Sequence, residues 1–318
     1  LGGAQADFRL HAREVAARTG RTPTSADLVA GRHRDIVAGI TVTCATDGNH
    51  GRSVAWGARM FGCPCVIYIH ETVSEARRQA IESFGATVVR TPGTYDDSVR
   101  QAAADAAREG RFVVSDTSYE GYEDVPRDVM QGYAVMADEA LRQWAGPPPT
   151  HVFLQAGVGG LAAAVGGHFW ESLGAARPKL IVVEPEKAAC LFLSARAGKP
   201  TVAEGALDTI MAGLACGEVS LIAWRILDEA AAAFMTVPDA AAIQGMRLLA
   251  NGTPPVVAGE SAVGGLAGLL AAAADPESRR TLGLDARSRV LLFGSEGDTD
   301  PALYAELVGR PATAVRAA

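Results

Sequence analysis

His151-Val152-Phe153-Leu154-Gln155 is an apolar run closed by an amide. Ala156-Gly157-Val158-Gly159-Gly160-Leu161-Ala162 leads it into an alanine-rich stretch that reaches Leu173. The first five residues read as a buried strand and Gly159 to Leu173 as a helix, with glycines in the turn between them. The same unit recurs along the chain. Ile40 to Thr43, Cys65 to Ile69, Thr87 to Arg90 and Phe112 to Val114 are expected strands, separated by expected helices from Asn49 to Phe61, Ser74 to Phe84 and Tyr95 to Glu109. Further on, strands are expected at Leu180 to Val183 and Val290 to Phe293. Helices are expected at Glu186 to Ala197, Val219 to Ala233 and Asp239 to Ala250. Strands that are apolar throughout and alternate with helices imply an α/β fold with mostly parallel sheets flanked by helices.

The clearest break is Gly146-Pro147-Pro148-Pro149, which ends the helix that begins near Pro126. Two lobes are expected: a small α/β domain of residues 45–140, and a large one made of residues 1–44 and 141–318. The 318 residues, 48% hydrophobic and 20% charged, are enough for two packed domains with ordinary globular cores. A net charge of −7 argues against a general nucleic-acid binder. The longest uncharged apolar run, Ala262 to Ala274, is too short to span a bilayer. No charged segment followed by an apolar one opens the chain, so a cytoplasmic enzyme is the expectation. Five cysteines, none in a C-x-x-C pair, suggest neither a zinc site nor a disulfide framework. Residue 1 is Leu, so the chain is expected to be part of a longer one.

In parallel sheets chemistry sits at the carboxyl ends of strands, where strand turns into helix. Two such turns stand out. Thr43-Cys44-Ala45-Thr46-Asp47-Gly48-Asn49-His50-Gly51 offers polar side chains and a helix N-terminus to an anion, although Asp47 or Asn49 reads equally as a simple cap. In the second turn Gly157, Gly159 and Ala162 fit the relaxed dinucleotide pattern G-x-G-x-x-A, and Glu184 ends the following strand where a ribose-binding acid would stand. A nicotinamide-dependent oxidoreductase is therefore one reading. Glycine amides on a helix N-terminus bind any phosphate, however, and the pattern does not say which. Gly259-Glu260-Ser261-Ala262-Val263 lacks the second glycine of a nucleophile elbow, and all six histidines precede Ser261, against the chain order of an α/β-hydrolase.

Ala45-Thr46-Asp47-Gly48-Asn49-His50-Gly51 resembles the Asn-Gly turn of fold-type II pyridoxal-phosphate enzymes, the tryptophan synthase β-like group, most of which read S-x-G-N-H. An aspartate in place of that serine or its neighbour marks the diaminopropionate ammonia-lyases. Further similar blocks follow in the same order: Asp116-Thr117 with Glu120-Gly121-Tyr122, Met130 to Tyr133, Leu154 to Gly159, Val183-Glu184-Pro185, Ile210 to Glu218 and Ser295 to Asp300. The resemblance covers nearly the whole chain. It implies a homodimeric lyase that converts 2,3-diaminopropionate and water to pyruvate and ammonia, with pyridoxal 5'-phosphate as an electron sink.

By the same resemblance, Gly157, Val158, Gly159, Gly160 and Leu161 cradle the cofactor phosphate. Asn49 bonds the pyridine hydroxyl, and Ser295 bonds the pyridine nitrogen. Thr46, Gly48 and His50 border the substrate. Asp47 takes the Cα proton, and Asp116 binds or deprotonates near the distal ammonium. The family's Schiff-base lysine stands in a Lys-x-Leu-Gly-Gly context. Leu1-Gly2-Gly3 matches the end of that context, and none of Lys179, Lys187 or Lys199 matches the lysine's place. The lysine is therefore expected just upstream, with the 318-residue form inactive and the longer form active. Glu260-Ser261-Ala262-Val263 departs from the family's Glu-Ser-Gly-Ala. Cys190 and Cys216 lie in blocks that resemble active-site borders and are expected to approach, with pairing as an open question. The alternatives are a serine or threonine dehydratase of the same fold, the nicotinamide oxidoreductase, and a phosphate-binding pseudoenzyme.

Overall fold

The expected alternation of strand and helix is realised as two separate four-stranded sheets, each parallel throughout. A computed structural model describes residues 1–46, 48–93 and 95–317 of the chain. The first sheet contains β1 (Val42–Ala45), β2 (Cys65–His70), β3 (Thr87–Thr91) and β4 (Phe112–Val113), in the spatial order β3-β2-β1-β4. The second contains β5 (His151–Gln155), β6 (Lys179–Pro185), β7 (Ala231–Val237) and β8 (Val290–Leu292), in the order β7-β6-β5-β8. In both, the chain lays three strands outward in one direction and then returns to add the fourth on the other side of the first. The order therefore reverses between β1 and β4, and again between β5 and β8. Crossover helices leave in opposite directions at such a point and open a crevice at the strands' carboxyl ends.

The chain divides into two compact units, Leu1–Tyr133 and Ala134 onward. The contacts group residues 1–44 with the first unit, where the sequence reading set them with residues 141–318. The reason is local: helix Gly2–Thr19 lies along helix Asn49–Phe61. Small residues make that approach possible. A Cβ at Gly3 would stand 2.6 Å from the Val54 amide nitrogen, and one at Gly57 would stand 2.7 Å from the Ala4 Cα and strike the Asp7 carboxylate. Asp7 and His11 are fully buried on this face. Burial pushes the Asp7 carboxyl well above the usual range and the His11 imidazole down to about 4.

Each unit has its own core. In the first, Val42, Cys44, Ile67 and Ile69 of the sheet meet Val54, Ala58 and Phe61 of the helix after β1. In the second, Phe153, Ile181 and Val183 meet Met246, Val263 and Ala267. Strand β7 is a departure from expectation. Val219 to Ala233 reads as one helix, but the helix is Leu221–Ala230, and Ala231–Val237 pairs with β6 across Leu180 to Pro185. Among the described residues no helix is long and apolar enough to cross a membrane.

Gly57→Ala is expected to lower stability by about 1–3 kcal/mol through overpacking. The urea midpoint should fall, and an unchanged midpoint would show that the two helices separate freely.

Candidate active site

Both glycine turns singled out in the sequence stand at the two reversal points. In the first unit, Thr46 follows β1 and organises the turn. Its amide donates to the Tyr68 carbonyl (3.0 Å). Its hydroxyl accepts from the amides of Gly48 (3.0 Å) and Gly51 (3.1 Å). This hydroxyl thus caps the first turn of the helix. A Cβ at Gly51 would collide with the Thr46 methyl, so the residue after His50 must be glycine. Gly48 precedes the helix with φ 154° and ψ −78°. The guanidinium of Arg77, itself buried, lies 2.7 Å from where a Gly48 Cβ would be. Half-buried Asn49 is the first helical residue. Asp47 lies outside the described residues.

His50 is buried and bridges the reversal point: its Nε2 is 2.7 Å from the Val114 carbonyl, just beyond β4. A carbonyl only accepts, so Nε2 donates to it, and in the neutral form of the ring the lone pair stands at Nδ1, a buried atom. That Nδ1 has no hydrogen-bond partner and lies 4.0 Å from Asp116 Oδ2. In that form the two groups face each other as acceptors, and a cationic donor satisfies such a pair best. Asp116 is the more accessible of the two, its side chain 27% exposed against 7% for His50.

In the second unit, β5 ends at Gln155 and the turn leads into helix Gly160–Leu173. Gly159 takes the left-handed conformation (φ 99°, ψ −7°), and a Cβ there would press on Ala223, Leu191 and Leu227 at 3.2 Å. A Cβ at Gly157 would lie 2.9 Å from Cys216 Sγ. Ser220 ties the turn down, its amide donating to the Val158 carbonyl (2.9 Å). The first amides of a helix have no intrahelical acceptor and carry the positive end of its dipole, so Gly159, Gly160 and Leu161 present an anion site. Ser295, just beyond β8 on the other side of the reversal, is exposed and accepts a hydrogen bond from Gln155 Nε2 (2.9 Å).

Several connections had no single-residue signal in the sequence. Ser261 Oγ accepts from the Gly213 amide (3.0 Å), and the Ser261 amide donates to Glu296 Oε1 (3.1 Å), so this one residue joins three segments. Gln155 was visible only as a polar residue ending an apolar strand.

Glu184 does not have the place of a ribose-binding acid. It is fully buried and caps helix Cys190–Ala197, accepting from the amides of Leu191 (2.8 Å) and Phe192 (2.7 Å). Burial pushes its carboxyl from the ordinary 4.5 up to about 7, against those two hydrogen bonds. Cys190 and Cys216 both border Gly157, the first donating weakly to its carbonyl (3.7 Å), and all five cysteines are free thiols. The three lysines are elsewhere. Lys179 donates to the Leu282 carbonyl (2.6 Å), Lys187 pairs with Asp239 (3.6 Å), and Lys199 follows helix Cys190–Ala197.

A family model described as pyridoxal-phosphate dependent enzyme matches residues 24–286. The chain is 42% identical over 276 residues to a diaminopropionate ammonia-lyase of Salmonella typhimurium, an alignment covering 83% of this chain and 68% of that one. Its fold superposes on the holo diaminopropionate ammonia-lyase of Escherichia coli with a TM-score of 0.88 at 38% identity, covering 96% of this chain and 78% of that one. The same Escherichia coli enzyme in complex with D-serine gives a TM-score of 0.87 at 37% identity, with the same coverage.

Because the folded state holds the Glu184 proton more tightly than the unfolded chain does, Glu184 withdraws stability as pH rises from about 4.5 to about 7. The depressed His11 acts in the opposite sense between about 4 and 6.5, so the contribution of Glu184 is read as a difference. The stability of Glu184→Gln minus that of wild type should climb across pH 4.5–7 and level off above it. A pH-independent difference would mean that the carboxylate is ionised throughout.

Proposed function

This chain belongs to the pyridoxal-phosphate-dependent enzyme family, and on that premise we propose that it is a diaminopropionate ammonia-lyase, converting 2,3-diaminopropionate and water to pyruvate and two molecules of ammonia. The residues at the β5 turn suit the cofactor. Gly157 and Gly159 let the turn pack closely on Cys216, Leu191, Ala223 and Leu227, and the first amides of the following helix, those of Gly159, Gly160 and Leu161, suit a phosphate. Val158 completes the loop, and Ser295 offers a neutral hydroxyl for the pyridine nitrogen. When bound, the cofactor supplies an electron sink for the pair left on Cα as its proton departs.

The protein's own groups do the rest. The Thr46 hydroxyl, at the turn into a helix N-terminus, suits the substrate carboxylate. Asn49 is the proposed partner of the ring hydroxyl. Asp47 is the proposed base for the Cα proton. His50, held by the Val114 carbonyl, backs Asp116, and the carboxylate of Asp116 receives the distal ammonium. This acceptor pair is the observation that carries the reading toward diaminopropionate and away from serine. A hydroxyl on Cβ brings one proton and no charge to two acceptors, whereas an ammonium brings three donors and a positive charge. A homodimer in the cytoplasm belongs to the same proposal, and sedimentation equilibrium tests the dimer.

In the full-length enzyme loaded with pyridoxal phosphate, release of pyruvate from D- and L-2,3-diaminopropionate measures the activity directly. Asp116→Asn should lower kcat/KM for diaminopropionate by about 10²-fold and affect turnover of serine far less. Equal losses on both substrates would remove Asp116 from recognition of the distal amine. Pyruvate from serine alone would replace the reading with a dehydratase.

A further inference from the structure

Gln155 is the last residue of β5 and is only 2% exposed. Its side chain spans the reversal point. Nε2 donates to the Phe293 carbonyl (2.8 Å) and to Ser295 Oγ (2.9 Å). The Phe293 carbonyl has no proton, so the amide cannot be turned the other way without setting oxygen against oxygen. Both amide hydrogens are then spent, one on Phe293 and one on Ser295. Oε1 faces Gly265, where an added Cβ would lie 3.2 Å away, and it has no hydrogen-bond partner. A buried carbonyl left unsatisfied is costly, which marks the orientation as one held by its two donor bonds.

The consequence falls on Ser295. A hydroxyl that accepts from an amide becomes a stronger donor and a weaker acceptor, because hydrogen bonds in a chain polarise one another. Its single proton is then directed away from Gln155 Nε2.

We propose that Gln155 is a positioning residue that fixes Ser295 as a donor and thereby holds the pyridine nitrogen of the cofactor in its unprotonated form. The inference rests on the reading of Ser295 as the ring-nitrogen partner. A protonated ring nitrogen is itself a donor, and the oxygen it would meet at Ser295 already receives a hydrogen from Gln155. An unprotonated ring withdraws electrons less strongly. It therefore suits elimination, where the electron pair on Cα becomes the Cα–Cβ double bond at once while the β-substituent takes the pair of its own bond to Cβ, over reactions that must store the Cα pair.

The test uses full-length holoenzyme carrying cofactor labelled with ¹⁵N in the ring, and reads the ring resonance. The wild-type resonance should lie at the unprotonated position and stay there from pH 6 to 9. Gln155→Glu replaces the donor with an acceptor that takes the Ser295 proton, and the resonance should move toward the protonated position. Gln155→Leu frees the hydroxyl to rotate, which should make the resonance pH-dependent. If the charged variant does not fold, Gln155→Asn, one methylene too short to reach both acceptors, gives the same reading as Gln155→Leu. A protonated wild-type resonance, or one unmoved in all the Gln155 variants while Ser295→Ala shifts it, overturns the role of Gln155. A resonance that Ser295→Ala also leaves unmoved overturns the assignment of Ser295 itself.

Discussion

Strand order is the constraint on which both candidate sites depend. Each sheet places its first strand inside and its last on the far side of that first strand, so the carboxyl ends of β1 and β4, and of β5 and β8, flank a point where the helices diverge. Residues far apart in sequence meet there. His50 reaches Val114 and Asp116 across the first reversal, and Gln155 reaches Phe293 and Ser295 across the second. The two junctions are built alike, with a polar side chain from the inner strand's turn bonded to a carbonyl beyond the outer strand. Each leaves a functional group of the outer strand's extension facing outward, a carboxylate in one and a hydroxyl in the other.

Close backbone approach shapes both turns. Gly51 lies against the Thr46 methyl, Gly157 against Cys216 and Gly159 against three apolar side chains. At each point a β-carbon would push the backbone amides out of line. The candidate anion site after β5 is made of backbone amides at a helix N-terminus. Buried ionisable groups serve the scaffold: Glu184 caps a helix, and Asp7 and His11 lie between two others. A strongly perturbed carboxyl is thus not by itself a sign of chemistry in this protein.

Much of this was legible in the sequence, for physical reasons. Strand β5 and the helices Asn49–Phe61, Tyr95–Glu109 and Asp239–Ala250 have the expected bounds, because apolar runs, glycines and caps there agree with one another. Strand β7 was not legible. Ala231–Val237 opens with three alanines that continue a helical composition, and only pairing with β6 makes it a strand. Helix Gly2–Thr19 was also missed: its glycines argue against a helix until Asn49–Phe61 is there to pack on. The distance from Glu184 to the glycine turn suggested a nucleotide, whereas its two hydrogen bonds identify a cap. The link from Gln155 to Ser295 joins residues 140 positions apart, and nothing local announces it.

The central claim is that the turn after β5 holds the cofactor phosphate on backbone amides while the ring nitrogen meets Ser295. A crystal structure of the full-length protein loaded with pyridoxal phosphate measures this directly. The account predicts phosphate oxygens within roughly 3.2 Å of the amide nitrogens between Gly157 and Leu161, with Ser295 Oγ at hydrogen-bond distance from the ring nitrogen. A phosphate bound by side chains elsewhere, or a ring nitrogen that meets a carboxylate, would contradict it.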